Sequence, residues 1–95
     1  MRKITEETHE AFMHRRNYGK DNTTVENENG ETYLYIYGHL IVKTDKGRIV
    51  ITTAGYNTNT TIERLSPFAT IRRAKGQMFI NDFEWDGSWI IVGEI

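Results

Sequence analysis

The stretch Thr23-Thr24-Val25-Glu26-Asn27-Glu28-Asn29-Gly30-Glu31-Thr32-Tyr33-Leu34-Tyr35-Ile36-Tyr37 decides the fold class. Thr23, Thr24 and Val25 are strand formers, and Thr32 to Tyr37 is rich in aromatic and β-branched side chains that suit a pleated surface. Asn29-Gly30 lies between them. A type I′ turn needs positive φ at both central residues, and Asn-Gly meets that need best, so the stretch reads as a β-hairpin.

The β pattern continues downstream. Gly38 supplies a bend or bulge before His39-Leu40-Ile41-Val42-Lys43, and Asp45-Lys46-Gly47 is a tight turn. Residues 48–53 return as a strand with Ile49 and Ile51 on one face and Val50 on the other. A polar loop over 54–59 runs into Thr60-x-x-Glu63, a capping-box pattern, and Pro67 ends the short helix predicted over 60–66. Beyond it, 71–74 and 77–80 are strands joined at Lys75-Gly76, Asn81-Asp82 and Asp86-Gly87 are turns, and 90–92 forms a last short strand.

Upstream, residues 5–17 read as a helix. Thr5 is its expected cap, with Glu6 and Glu7 at the positive end of the dipole. Ile4, Ala11 and Phe12 make one apolar stripe, Arg15 and Arg16 fall in the last turn, Gly19 is the stop, and Tyr18 folds back onto the core.

Helix, strands, short helix, strands is not the alternation of a doubly wound fold. The expected class is α+β: a single curved antiparallel sheet of about five to seven strands. The N-terminal helix packs on one face, and the short second helix covers an edge or end. Ninety-five residues allow one core, so a single domain is expected over 1–95.

Composition excludes several classes. Charged residues are 26% and hydrophobic ones 38%, which is ordinary globular usage and argues against wholesale disorder. There is no Cys, so disulfides, cysteine-zinc sites and thiol nucleophiles are out. The start, Met1-Arg2-Lys3-Ile4-Thr5-Glu6-Glu7, has no apolar run of a signal peptide, so the Asn-x-Thr triplets at Asn22 and Asn59 read as turn chemistry. The formal charge of −1 conceals blocks: +2 over 1–20, −4 over 21–35, +2 over 36–55, +3 over 56–76 and −4 over 77–95. Such blocks either solvate separate faces or favour self-complementary association, which makes a homodimer one expectation.

Several segments together resemble a known group. Arg2-Lys3-Ile4-Thr5, Asn22-Thr23, Gly38-His39-Leu40-Ile41, residues 54–61 (Ala-Gly-Tyr-Asn-Thr-Asn-Thr-Thr) followed by Glu63-Arg64-Leu65, and Gly76-Gln77-Met78-Phe79-Ile80 ending at Trp85-Asp86-Gly87 look like small accessory proteins of tailed bacteriophages. The resemblance covers most of the chain and is most specific over 54–65. It implies a viral product acting in the cytoplasm of an infected bacterium, and it supplies no catalytic residues.

Chemical motifs are sparse. His9 and His14, five apart, lie on different helix faces, and no second His follows His9-Glu10 at zincin spacing, so with His39 they read as structural or surface residues and no metal is expected. Ser66 and Ser88 lie in no nucleophile elbow, and no phosphate loop occurs. Asp82, Glu84 and Asp86 alternate, and on a strand they would share a face; a solvated edge is the simpler reading. Neither catalysis nor a cofactor is expected.

Binding surfaces are better marked. Tyr33, Tyr35 and Tyr37 share one face by period-two spacing, with Leu34 and Ile36 on the other. They either bury their rings on the sheet or present an outward row that anchors a protein or stacks bases. Tyr56, Asn57, Thr58, Asn59, Thr60 and Thr61 form the densest polar stretch, leading into a helix start with Arg64 as a cationic neighbour. These side chains either satisfy their own backbone or bind a partner. Arg72, Arg73 and Lys75 form a basic cluster, as do Arg15 and Arg16, but a pI near 6.3 is not that of a dedicated nucleic-acid binder. Thirteen acids against 12 bases do not make a DNA mimic either.

The leading expectation is a non-enzymatic accessory protein that binds and modulates or inhibits another protein by occlusion, the partner being a host factor, a defence component or a phage enzyme. The tyrosines and the 56–61 loop, with Arg64, would make the contact. The alternative is a small nucleic-acid or nucleotide binder using Arg15, Arg16, Arg72, Arg73 and Lys75 for phosphate. A third reading is a minor virion structural protein.

Overall fold

In the computed structural model of the protein, which describes residues 2–95, Asn29 and Gly30 have φ of 52° and 82°, the sign pair a type I′ hairpin needs. The same positive pair recurs at Tyr37-Gly38, Lys46-Gly47 and Lys75-Gly76. Two-residue X-Gly connections thus set most of the strand pairing.

The elements are α1 (Lys3–Met13), β1 (Tyr18–Lys20), β2 (Thr23–Glu28), β3 (Glu31–Ile36), β4 (His39–Asp45), β5 (Arg48–Ile51), α2 (Asn59–Leu65), β6 (Ile71–Ala74), β7 (Gln77–Ile80), β8 (Phe83–Trp85) and β9 (Ile90–Glu94). The class is α+β, and every strand pair is antiparallel. The main sheet has six strands in the order β1-β2-β3-β4-β5-β9. A separate three-stranded sheet, β6-β7-β8, corrects the expectation of one sheet. Between β5 and β6 the chain passes through α2, which carries the β6–β8 meander away from the main sheet and leaves the β5 edge for β9.

One face of the main sheet is the core face. Val25, Leu34, Val42 and Ile51 point there and meet Ala11 and Phe12 of α1, Leu65 of α2, and Met78, Ile80 and Trp85 of the small sheet. The Phe68 ring packs edge-on to both Phe12 and His9, at centroid distances of 5.2 and 5.0 Å. The expected stripe of Ile4, Ala11 and Phe12 is buried.

Local details differ from expectation. Helix α1 begins at Lys3, and its N-cap, Arg2, makes no side-chain cap bond. Thr5 is instead inside the first turn and buried, its hydroxyl committed to α2. The helix ends at Met13, because Arg15 takes φ of 54° and leaves helical space, so Arg15 and Arg16 lie beyond it. In α2 the cap is Thr58, whose Oγ1 accepts from the Thr61 backbone N–H at 3.3 Å. The Thr60–Glu63 capping box does not form, since Glu63 faces α1 and bonds Thr5.

Candidate functional site

Strand β3 ends at Ile36. Tyr37 is the first turn residue of the β3–β4 hairpin, with φ of 51°, and it lies outside the period-two row expected with Tyr33 and Tyr35. The residue is 68% exposed. Of the non-glycine residues with positive φ among those described, Tyr37 alone is aromatic.

The hairpin tip faces the chain that follows β5. The rings of His39 and Tyr56 stack with centroids 4.3 Å apart and planes at 28°. Tyr37, His39 and Tyr56 line a cavity of about 240 Å³ together with Ile36, Ile41, Thr53, Thr58 and Thr61. That is smaller than the roughly 300–1,000 Å³ of small-molecule sites, so it suits a single side chain. No Lys or Arg lines it. Thr58 Oγ1 donates to Thr61 Oγ1 at 3.1 Å, and Tyr56 N–H donates to the Thr53 carbonyl at 2.8 Å, so the loop is held by its own bonds.

Asn57 and Asn59 have different work. The Asn57 carbonyl accepts from Arg73 Nη1 at 3.0 Å, and Asn59 Oδ1 accepts from Arg73 Nη2. Thr60 is half-buried and Thr61 buried. The expected polar loop therefore divides: Tyr56, Thr58 and Thr61 line the cavity, while Asn57 and Asn59 tie the loop to β6.

Arg64 is 2% exposed and is not a surface contact, which corrects its place in the expected binding set. Its Nε donates to Thr23 Oγ1 at 3.2 Å and its Nη1 to Thr5 Oγ1 at 3.0 Å, so it pins α2 to β2 and α1. Burial lowers its pKa from the ordinary guanidinium value, and the Glu63 carboxylate, 3.7 Å away, works against that fall.

The other basic residues do not converge. Arg15 Nη1 donates to the Gly30 carbonyl at 2.7 Å, and Arg16 pairs with Glu10 at 3.3 Å. Arg72 lies over the Phe79 ring and pairs with Asp82 at 3.8 Å, Arg73 holds the loop, and Lys75 sits in the β6–β7 turn. Asp82, Glu84 and Asp86 also separate: Asp82 is in a turn, Glu84 is on β8, and Asp86 follows it. Asp86 accepts from the Ser88 backbone N–H at 2.9 Å, and hydrogen bonds from Ser88 hold its carboxyl below the usual range. Among the described residues no three metal-capable side chains gather, and no helix is long and apolar enough to cross a membrane.

A second surface is the outer face of the main sheet. Tyr33 and Tyr35, both half-buried, lie on it, opposite the core-facing Leu34 and Ile36, as their alternation predicts. Cross-strand partners share a face, so Glu26, Tyr33, Lys43, Val50 and Ile91 form one row across β2, β3, β4, β5 and β9. Thr24, Tyr35 and Leu40 form the next row. Lys43 Nζ sits 4.6 Å from the centroid of the Trp89 ring. Burial, with Glu26, Tyr33 and Glu28 nearby, raises the Tyr35 pKa above the ordinary phenol value.

Sequence reasoning did not single out His39, Leu40, Lys43 or Ile91 for these surfaces. The signal for Lys43 was available: counting back from the turn at Lys46-Gly47 places it opposite Val50.

No curated protein and no solved structure matches this chain. Residues 1–90 match the family model described as Kyanoviridae Gp96 protein, and the chain belongs to that family of phage proteins.

Proposed function

We propose that this phage-encoded accessory protein binds another protein through the tip of its β3–β4 hairpin, taking one apolar or aromatic side chain of the partner into the cavity between Tyr37, His39 and Tyr56. One observation carries the reading. Tyr37 occupies a left-handed position that costs an L-residue roughly 1–2 kcal/mol, and its ring is left in solvent. Asn-Gly would make the same turn better. An aromatic ring held at local cost and without a packing role fits selection for contact. Rigid aromatic anchors around a small apolar pocket are also the usual make-up of a binding hot spot. Binding there would act by occlusion, with the partner a host factor, a defence component or a phage enzyme in the infected cell.

The basic residues give less support to a nucleic-acid reading, because most are committed within the fold and they form no continuous stripe. The test is affinity capture with tagged protein from infected host lysate, with and without nuclease. The expected result is a stoichiometric protein that survives nuclease and is lost with Tyr37→Ala and Tyr56→Ala. Recovery that depends on nucleic acid would overturn the reading.

A further inference from the structure

We propose that the outer face of the six-stranded sheet is a homodimer interface, in which two copies pack face to face about a two-fold axis running along β3. This surface is separate from the hairpin cavity, and the inference does not rest on the binding reading above.

The core face is filled by two helices and the small sheet. On the outer face Tyr33, Tyr35 and Leu40 are half-buried and Val50 is buried, while the 53%-exposed Ile91 lies on β9, outside the strands that a two-fold along β3 overlays. Tyr33, Tyr35 and Leu40 give the middle of that face, on β3 and β4, an apolar centre that a facing copy would cover. Its charges specify the occupant. Across β2, β3 and β4 the row reads Glu26, Tyr33, Lys43: acid, aromatic, base. A two-fold along the middle strand exchanges the flanking strands. Each Glu26 then faces the partner's Lys43, each Lys43 faces the partner's Glu26, and the tyrosine rings meet at the centre. In the next row Thr24 meets the partner's Leu40.

Face-packed sheets lie about 10 Å apart with strands within about 30° of each other, which leaves room for interdigitated tyrosines and for long charged side chains at their flanks. A two-fold running across the strands instead would set Glu26 against its own copy. Like charges therefore disfavour that arrangement, and the same row both attracts a copy and fixes its orientation. A protein of unrelated sequence would have to reproduce the opposite pattern; a second copy of this chain already has it.

Sedimentation equilibrium over a concentration series tests this with the full chain. Wild type is expected to approach twice 11.1 kDa. Glu26→Lys makes the flanks all basic and Lys43→Glu makes them all acidic, so each variant alone is expected to run as a monomer. The double variant E26K/K43E is expected to dimerise again, and so is an equimolar mixture of the two single variants. Circular dichroism of each variant shows that it is folded, which these solvent-facing side chains permit. A wild-type monomer throughout the series, a dimer indifferent to both single changes, or a mixture that stays monomeric would each overturn the proposal.

Discussion

Arg64 Nη1 donates to Thr5 Oγ1 at 3.0 Å, and that hydroxyl in turn donates a hydrogen bond to Glu63 Oε1 at 2.8 Å. A buried cation on α2 is thereby satisfied by a neutral oxygen from the first turn of α1, 59 residues away in sequence. Thr5→Val keeps the shape and strands the donor. Leaving a buried polar group unpaired costs about 1–3 kcal/mol, and for a domain of this size each kcal/mol lowers Tm by about 4–8 °C. Thr8→Val is the control. The Thr8 hydroxyl donates back to the Ile4 carbonyl of its own helix and lies beside the Tyr18 hydroxyl, with no buried cation depending on it, so thermal unfolding should show a distinctly smaller loss there.

The left-handed turn at Tyr37 makes a prediction of the opposite sign. Tyr37→Asn creates the preferred residue pair for the turn and removes a ring that is mostly in water. Stability measured by denaturant should rise by up to about 1 kcal/mol. Capture of a partner should fall in the same variant. A gain in stability with full retention of the partner would separate the ring from binding.

Gly87 is held between two constraints. Its φ is 90°, and a Cβ there would run into the Thr53 hydroxyl. Its carbonyl accepts from Thr52 Oγ1 at 2.6 Å and from the Thr53 N–H at 3.0 Å, so the loop before β9 is clamped to the end of β5. Gly87→Ala should destabilise by about 1–3 kcal/mol. In the double variant with Thr53→Ala the steric part of the cost is relieved, so the two losses should add to less than their sum in a double-mutant cycle.

His9 gives the pH dependence. Burial against Phe68 lowers its pKa below the usual imidazole value near 6.5. A base whose folded pKa is depressed binds fewer protons folded than unfolded, so stability rises with pH in that window and falls as pH drops below about 6.5. Glu31 acts at lower pH. The Thr44 hydroxyl and then the Lys46 backbone N–H hold its carboxylate below the usual range. That contribution is present above the unfolded carboxylate value and is lost as pH falls through the folded one. Thermal melts of His9→Gln between pH 7 and pH 5 should have a shallower slope than wild type, with the carboxylate loss at lower pH unchanged.

The hairpins were legible because their determinants are local. Asn29-Gly30, Lys46-Gly47 and Lys75-Gly76 carry turn chemistry in two adjacent residues, and the alternation through Thr32–Ile36 assigns each side chain to a face. The two helices were legible for the same reason, but not their caps. Thr5 and Thr60 have the right side chains for caps; Thr5 became a core ligand of Arg64, and Thr58 took the place of Thr60. The candidate site was half legible. The 56–61 loop and the tyrosines stood out by composition, whereas His39, Lys43 and Ile91 acquire their places only through register.

The sequence by itself determined the α+β class, the antiparallel pairing of neighbouring strands and the placing of Tyr33 and Tyr35 on the face opposite Leu34 and Ile36; which of the two faces is the outer one was decided by the packing of the helices. Turn conformation and strand alternation depend on residues a few positions apart, and one chain segment suffices to express them. Only the tertiary structure decided that β6–β8 form their own sheet, that β9 returns to pair with β5, and that Arg64 is buried while Tyr37 is exposed. Those outcomes turn on which apolar faces meet across 40 to 60 residues of chain. The competition is settled by burial of the whole core and by satisfaction of buried polar groups, and no local pattern encodes either.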